Sequence, residues 1–137
     1  MVTCEAGGFV NPSALASQVD VPLVLIREAD KLRPPTISVI KSPSHISLSV
    51  SNDSKQKRIE MGRDVVSKGE PGVVDDVLST GETLCVVIRL LQEAGLSAED
   101  ISVMVVAEFP LHRGRELLCQ RGFGGINIQC LLVFGGA

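Results

Sequence analysis

The stretch that decides the fold is Gly72-Val-Val-Asp-Asp-Val-Leu-Ser-Thr-Gly-Glu-Thr83. Its apolar run at 73–78 predicts a buried strand, with an acidic pair towards its end. A short Ser/Thr/Gly loop follows, and apolar residues at helical spacing then predict a helix at 82–94, with Gly95 as its stop. The stretch therefore predicts a strand–loop–helix unit, and ligands of open α/β sheets bind at the loops that follow such strands.

The rest of the chain also alternates between strand and helix patterns. Apolar runs predict strands buried on both faces at 21–26, 101–107 and 126–134, and a shorter strand at 1–4. Helical patterns are predicted at 114–120 and in a shorter segment after Asn11-Pro12. This alternation is typical of an α/β fold with a mainly parallel sheet flanked by helices. A chain of 137 residues fits a single domain, 1–137.

Residues 33–57 interrupt the alternation. They are rich in Ser and Pro, and a strand-like alternation survives only in pieces, at Ile37, Val39, Ile46, Leu48 and Val50. We predict a long flexible loop or hairpin arm that projects from the sheet. Long loops in compact domains are usually functional lids or disordered segments, and both interpretations stay open here.

The composition argues against several classes of function. The chain has four Phe but no Trp or Tyr, so it lacks the aromatic surface on which single-stranded nucleic acids stack. A net charge of -3 and a pI near 5.3 give no general attraction to nucleic acid or to anionic membranes. The cysteines (Cys4, Cys85, Cys119 and Cys130) have no metal-ligand spacing and are expected to be reduced. Without a long apolar run or a signal-peptide layout, the chain is expected to be soluble and cytoplasmic.

The polar residues of the opening stretch have the chemistry of a sugar-phosphate site. The loop presents backbone N–H groups and hydroxyls at the start of the predicted helix, which suits a phosphate dianion. Asp75 and Asp76 are within reach of vicinal ribose hydroxyls, which can donate hydrogen bonds to carboxylates. A plainer interpretation stays open, in which the acidic pair ends a strand and Ser79-Thr80 caps a helix. The residues predicted to bind the 5-phosphate are Ser79, Thr80, Gly81, Glu82 and Thr83.

As a continuous run, this stretch resembles the phosphoribosyl-diphosphate-binding signature of type I phosphoribosyltransferases. Other segments are similar to one branch of that family, adenine phosphoribosyltransferase. Glu5-Ala-Gly-Gly-Phe9 resembles the turn after the family's first core strand. Val21-Pro-Leu-Val-Leu-Ile-Arg-Glu-Ala-Asp-Lys-Leu32 resembles its strand and diphosphate-binding loop, and Glu108-Phe-Pro-Leu-His-Arg-Gly-Arg-Glu-Leu117 resembles a later strand and helix. The likeness covers most of the chain outside 33–57.

The resemblance implies a type I phosphoribosyltransferase-like, Rossmann-like core and a transfer reaction. A purine-type nitrogen would attack the anomeric carbon of phosphoribosyl diphosphate, and diphosphate would leave. Asp75 and Asp76 would lie beneath the positive ribose ring as catalytic residues, and Arg27 and Lys31 would bind the diphosphate. Magnesium is implied as cofactor, bound through the substrate near the acidic pair. The implied partners are phosphoribosyl diphosphate, a purine-type base or its nucleotide, and a second copy in a homodimer, in purine salvage.

The chain departs from the family's pattern where diphosphate and base would lie. Gly7 stands in place of an Arg, and Glu28 stands where the family's loop usually has Lys. Each charge-assisted contact is worth about 1.5 to 3 kcal/mol, so two losses would weaken binding roughly a hundredfold. The flexible loop lacks the family's Tyr and Glu. Its His45 is a candidate proton donor, beside the interpretation that this side chain is simply solvated.

These departures leave three hypotheses. The chain is an active purine phosphoribosyltransferase, or it is a catalytically degenerate relative that serves as a nucleotide-binding, ribose 5-phosphate-binding or regulatory module. In the third hypothesis it is a truncated product, without the family's N-terminal segment and adenine-contacting hood. It would then fold only with a partner that supplies the missing strand, which an exposed first strand, reduced to a stub, would make plausible.

Overall fold

The computed structural model describes residues 1–41, 57–66 and 71–135. Within them lie seven strands in one sheet and three α-helices. The strands are β1 (Val2–Cys4), β2 (Val24–Glu28), β3 (Thr36–Ile40), β4 (Arg58–Gly62), β5 (Gly72–Leu78), β6 (Ser102–Glu108) and β7 (Asn127–Val133). The helices are α1 (Val10–Val19), α2 (Glu82–Glu93) and α3 (Gly114–Gln120). None of the helices described is long and apolar enough to cross a membrane.

The sheet has the order β3-β4-β2-β1-β5-β6-β7. The five strands from β2 to β7 in this order are parallel, whereas β4 is antiparallel to both β2 and β3. The prediction of an α/β fold with a mainly parallel sheet is therefore confirmed. Because parallel strands end at the same edge of a sheet, the segments after β1, β2, β5 and β6 all lie along one edge.

The hydrophobic core lies between α2 and the sheet. Seven of the twelve residues of α2 are buried, and Ile88, Leu90 and Leu91 are each 0% exposed. They pack with the buried valines of β5 and β6 in one apolar cluster. The helix begins where predicted and ends one residue earlier, and α3 has its predicted bounds, because both carry long apolar periodicity and a following glycine.

The first strand is not the exposed stub that its length suggested. Although β1 has only three residues, it lies between β2 and β5, and Val2, Thr3 and Cys4 are all buried. The free edges of the described sheet are β3 and β7. The expectation of an exposed first strand is therefore wrong, because its neighbours come from within the chain.

The buried-strand interpretation is also wrong for β7. This strand pairs on one side only, with β6, and Leu131 and Val133 are 67% and 65% exposed. The strand predicted at 21–26 starts later, at Val24, and extends to Glu28. Proline at position 22 has no backbone N–H to donate, and the first ladder contact in this region is Val24 N–H to Met1 O at 2.8 Å.

One described part of segment 33–57, strand β3, belongs to the sheet. It forms an antiparallel pair with β4, which follows the segment and also pairs with β2. These strands therefore extend the sheet instead of projecting from it. Residues 42–56, and with them the interpretation of His45, lie outside the described residues.

We predict that Ile88→Ala lowers the free energy of unfolding by about 2 to 5 kcal/mol, because it opens a cavity in the packed core. Urea unfolding followed by circular dichroism measures this change. The control is Arg89→Ala on the exposed face of the same helix, which we expect to change stability by less than about 0.5 kcal/mol. Equal effects of the two substitutions would contradict the described packing of α2.

Candidate functional site

The acidic pair lies within β5, on opposite faces of the strand. Both side chains are half-buried, and the Asp76 N–H donates to Asp75 Oδ1 at 2.9 Å. The strand continues through Val77 to Leu78, so the pair does not end it, in contrast to the plainer interpretation of the sequence. The carboxylates therefore have a fixed position in the sheet, near the end of β5 and shortly before the loop that opens α2.

Burial raises the pKa of the Asp75 carboxyl to about 7. Burial is the largest cause of this raised pKa; the Asp76 N–H opposes it, and the side-chain hydrogen bond and negative charge of Asp76 reinforce it. A carboxyl with such a pKa exchanges its proton near neutral pH, which is typical of functional sites although structural networks also produce it. Asp75 can thus be charged or neutral according to what binds beside it.

The loop after β5 is held by a close backbone contact with α3. Gly81 has a positive φ of 80°, and a Cβ atom there would lie only 2.8 Å from the carbonyl oxygen of Gly114. A Cβ atom on Gly114 would in turn collide with the carbonyl oxygen of Ser79. Two glycines therefore let the loop and the start of α3 touch, and this contact fixes the N-terminus of α2.

A small cavity of about 80 Å³ lies in front of this helix N-terminus. About 10 to 15 Å³ of such space holds one water molecule, so a group larger than one water fits. Its polar lining combines Asp75 with the predicted phosphate loop, and its remaining lining is aliphatic. The lining residues are Asp75, Val77, Leu78, Ser79, Thr80, Gly81, Thr83, Leu84 and Val105.

Four of the five predicted phosphate-binding residues line this cavity, and Glu82 does not. The Glu82 carboxylate lies 3.8 Å from the Arg121 guanidinium, while its backbone N–H is 3.5 Å from Thr80 Oγ1. Gly81 supplies no side-chain cap to α2, so in the described residues this long contact from Glu82 to Thr80 is the side-chain partner of its first turn. The loop thus offers backbone N–H donors beside hydroxyl groups.

The two predicted diphosphate-binding cations converge on one carboxylate. Arg27 Nε and Nη2 each lie 3.3 Å from Glu5 Oε2, and Lys31 Nζ lies 3.3 Å from Glu5 Oε1. The Glu28 N–H also donates to Glu5 Oε1, and the Glu28 carboxylate lies 3.1 Å from Lys31 Nζ. Partial burial opposes ionisation of Glu5, but these donors outweigh it and lower the Glu5 pKa.

The turn from Glu5 to Phe9 joins the cation cluster to the acidic pair. Its glycines lie against the two aspartates, since a Cβ atom on Gly8 would be 2.8 Å from Asp75 Oδ1 and one on Gly7 would collide with Asp76 Oδ2. The buried Thr3 hydroxyl donates to Gly8 O at 2.7 Å and secures the turn to β1. Any side chain at position 7 would therefore require Asp76 to move.

Two buried carboxylates support the site and were missed in the sequence. Glu60, 6% exposed, accepts the N–H groups of Lys31 and Leu32 at 3.1 and 2.9 Å, and the Thr36 hydroxyl at 3.3 Å. Its donors are about thirty residues away in sequence, so no local pattern reveals them. The sequence offered one signal for Glu60: it is an acidic residue between two apolar residues, Ile59 and Met61, in an alternating pattern.

The second of these carboxylates, Glu108, is 7% exposed at the end of β6. Arg115 of α3 binds it through two contacts, of 2.7 and 2.8 Å, and this pairing lowers the Glu108 pKa. The ion pair ties α3 to the sheet, and α3 in turn supports the loop at Gly81.

The mainly parallel sheet, with its acidic pair and polar loop at the carboxyl ends of the strands, is the architecture of type I phosphoribosyltransferases. Residues 1–116 match the family model of the phosphoribosyl transferase domain, so the chain belongs to that family. The resemblance seen in the sequence is thereby confirmed. The roles of individual site residues remain predictions.

The chain is similar to purine phosphoribosyltransferases. It is 33% identical to adenine phosphoribosyltransferase of Rattus norvegicus over 83% of this chain and 58% of the rat protein. It is 32% identical to that of Roseiflexus castenholzii, over 90% of this chain and 66% of the relative. Hypoxanthine/guanine phosphoribosyltransferase of Methanocella paludicola is 31% identical, over 77% of this chain and 50% of that protein. The chain thus spans between half and two thirds of the length of these relatives.

Solved structures show the same fold. The adenine phosphoribosyltransferase of Giardia lamblia, complexed with 9-deazaadenine, has a TM-score of 0.80 at 26% identity, over 98% of this chain and 69% of the other. The adenine phosphoribosyltransferase of Trypanosoma brucei also has a TM-score of 0.80, at 18% identity over 96% of this chain and 54% of the other. Its structure is a complex with AMP, pyrophosphate and ribose-5-phosphate. At that identity the second likeness shows the fold alone.

We predict that the contribution of Asp75 to stability falls as pH rises from about 4 to about 7. In this window the folded protein keeps a proton on Asp75 that the unfolded chain, with a pKa near 3.8, has released. Stability from this group is therefore greatest at low pH and is lost as pH passes 7. Each unit between the two pKa values is worth about 1.4 kcal/mol.

Urea unfolding of the wild type and of Asp75→Asn at pH 5 and pH 8 measures this contribution. Because the amide does not titrate, the free energy of unfolding of the wild type relative to that of the variant should be higher at pH 5 than at pH 8. Other acidic groups titrate in both proteins and cancel in the difference. A difference that does not change with pH would contradict the raised pKa.

Proposed function

We propose that the chain is a purine phosphoribosyltransferase of the adenine type. It binds phosphoribosyl diphosphate and transfers the ribose 5-phosphate group to a base nitrogen. The observation that carries the proposal is the cavity in which Asp75 meets the loop at the start of α2, because it combines acceptors for hydroxyls with donors for a phosphate. The adenine-type base is proposed from the similarity to adenine phosphoribosyltransferases.

The 5-phosphate is proposed to bind at Ser79, Thr80, Gly81 and Thr83, and the backbone N–H of Glu82 would have to leave Thr80 Oγ1 to join them. The first amides of α2 point their dipoles at an anion there, and the threonine hydroxyls add further donors. The Glu82 side chain takes no part in this proposal, since its carboxylate faces Arg121. This phosphate would thus be recognised by neutral groups. Its binding and release require no change in the ionisation of those groups.

The proposed chemistry is a displacement at the anomeric carbon. A base nitrogen forms a bond to that carbon with its lone pair, the carbon–oxygen bond to diphosphate breaks, and diphosphate leaves with the electron pair. Positive charge develops on the ribose ring between these events, and the carboxylates of Asp75 and Asp76 are proposed to stabilise it. Asp75 is most effective in its ionised form, which a cationic neighbour would favour.

The residues present fit magnesium that arrives with the substrate. The described residues contain no group of three or more His, Cys, Asp or Glu side chains able to hold a metal ion by themselves. Magnesium is usually bound through one or two carboxylates together with substrate phosphates, and Asp75 and Asp76 supply those carboxylates. When bound, the ion would neutralise the charge of the leaving diphosphate. A cytoplasmic location and a homodimer belong to the same proposal.

We predict that replacing both aspartates (Asp75→Asn with Asp76→Asn) weakens binding of magnesium phosphoribosyl diphosphate at least tenfold, equivalent to about 1.4 kcal/mol. The amides keep the size of the side chains but lose the negative charge. Titration calorimetry measures the affinity, and a purified-enzyme assay with adenine measures transfer. The matched control is Glu99→Gln with Asp100→Asn, two exposed acids before β6, at the opposite edge of the sheet.

The same titrations separate the alternatives. Binding of the diphosphate compound with transfer to adenine supports the active enzyme. Binding of adenosine 5-phosphate without the diphosphate compound would instead indicate the non-catalytic nucleotide-binding relative, which the pairing of Arg27 and Lys31 with Glu5 favours. A folded wild-type protein that binds neither ligand would overturn the proposal.

We predict that Gly81→Ala weakens binding of ribose 5-phosphate more than tenfold. An alanine there must take a positive φ and would also collide with the Gly114 carbonyl, so the loop has to move. Gly95→Ala is the control, because Gly95 has a similar φ of 91° but open space around its Cβ position. Calorimetry should show unchanged affinity for Gly95→Ala, and equal affinities in both variants would argue against phosphate binding at this loop.

A further inference from the structure

The Glu5 carboxylate lies among the proposed diphosphate-binding groups, where a phosphate group of a ligand would bind. Its carboxylate is contacted by Arg27 through two nitrogens at 3.3 Å, by Lys31 at 3.3 Å and by the Glu28 N–H. Two cations and a backbone amide are the donors that recognise a phosphate group in proteins. The described chain therefore already carries a carboxylate where these donors converge.

The charges in this cluster cancel. Arg27 and Lys31 contribute two positive charges, and Glu5 and Glu28 contribute two negative ones within 3.3 Å of them. The Glu5 side chain is only 12% exposed, so its charge is less screened by water than that of Glu28, which is 60% exposed. An incoming diphosphate thus meets a neutral cluster instead of two free cations.

The cluster also lies beside the acidic pair. Glu5 follows β1, the strand next to β5, and begins the turn whose glycines touch Asp75 and Asp76. A sugar bound at the aspartates would therefore lie beside the turn that Glu5 begins. The anion at Glu5 and the proposed leaving group would compete for the same donors.

We infer that Glu5 is an intramolecular competitor of the diphosphate group and sets the preference of the site between mono- and diphosphorylated ligands. This inference rests on the proposed function, which assigns the diphosphate to Arg27 and Lys31. Diphosphate binding displaces the Glu5 carboxylate from both cations and from the Glu28 N–H. Ligands that carry only a 5-phosphate bind without this displacement, because the loop at the start of α2 lies outside the cluster.

The test is the affinity of inorganic diphosphate for the wild type, Glu5→Gln and Glu28→Gln, measured by titration calorimetry. The amide of Glu5→Gln keeps an acceptor for the Glu28 N–H but removes the negative charge. We expect diphosphate to bind Glu5→Gln at least tenfold more tightly than the wild type. Glu28→Gln removes a more exposed charge with one contact, to Lys31, so its gain should be smaller.

Ribose 5-phosphate is titrated in parallel, and its affinity should change less than twofold in Glu5→Gln. Unchanged or weaker diphosphate binding by a folded Glu5→Gln variant would overturn the inference and leave Glu5 as a structural clamp. Absence of diphosphate binding by both proteins would also overturn it. If the wild type fails to bind ribose 5-phosphate, the proposed function fails, while the diphosphate titrations still decide the role of Glu5.

A measurement on the wild type covers the case in which Glu5→Gln does not fold. The Arg27 Nε–H signal in a ¹⁵N-resolved NMR spectrum reports the anion that accepts its hydrogen bond. We expect this signal to shift as inorganic diphosphate is added, with the same midpoint as in calorimetry. A signal that stays in place while diphosphate saturates the protein would overturn the inference.

Discussion

The site depends on the insertion of a three-residue strand, β1, between β2 and β5. This pairing places the turn at Glu5–Phe9 between two cations, Arg27 at the end of β2 and Lys31 after it, and the aspartates of β5. Thr3, completely buried, fastens the turn to the strand by donating its hydroxyl proton to Gly8 O. Because parallel neighbours align their carboxyl ends, a short central strand is enough to bring three remote segments to one edge.

The buried carboxylates of this structure differ in how many hydrogen-bond donors stabilise them. Glu60 and Glu108 are almost fully buried, and each is satisfied by several donors, which offsets the cost of removing a charge from water. Asp75 has a single backbone donor and an acidic neighbour, so its pKa rises to about 7. This carboxyl lines the cavity, where a bound ligand can offer it further hydrogen bonds.

Local pattern predicted the elements with long periodicity, α2, α3, β5 and β6, to within a residue. It failed where position depends on distant partners. The burial of β1 and the exposure of β7 follow from strand order, which a single strand does not encode. The proximity of Asp75 to the loop was predictable because one continuous stretch holds both. The pairing of Arg27 with Glu5, 22 residues apart, was not, because it requires β1 and β2 to be neighbours.

The distribution of charge separates two kinds of phosphate recognition. Among the described residues, Arg27 and Lys31 are paired with the carboxylates of Glu5 and Glu28, while Asp75 and Asp76 lie against the glycines of the neighbouring turn. The loop that opens α2, in contrast, presents neutral N–H and hydroxyl groups. Under the proposed function, a 5-phosphate would therefore need no cation that is already paired, whereas a diphosphate would. Substitutions such as Glu28 for a family lysine can then weaken the second kind of recognition while the first is preserved, so retention of the phosphate loop does not by itself imply catalysis.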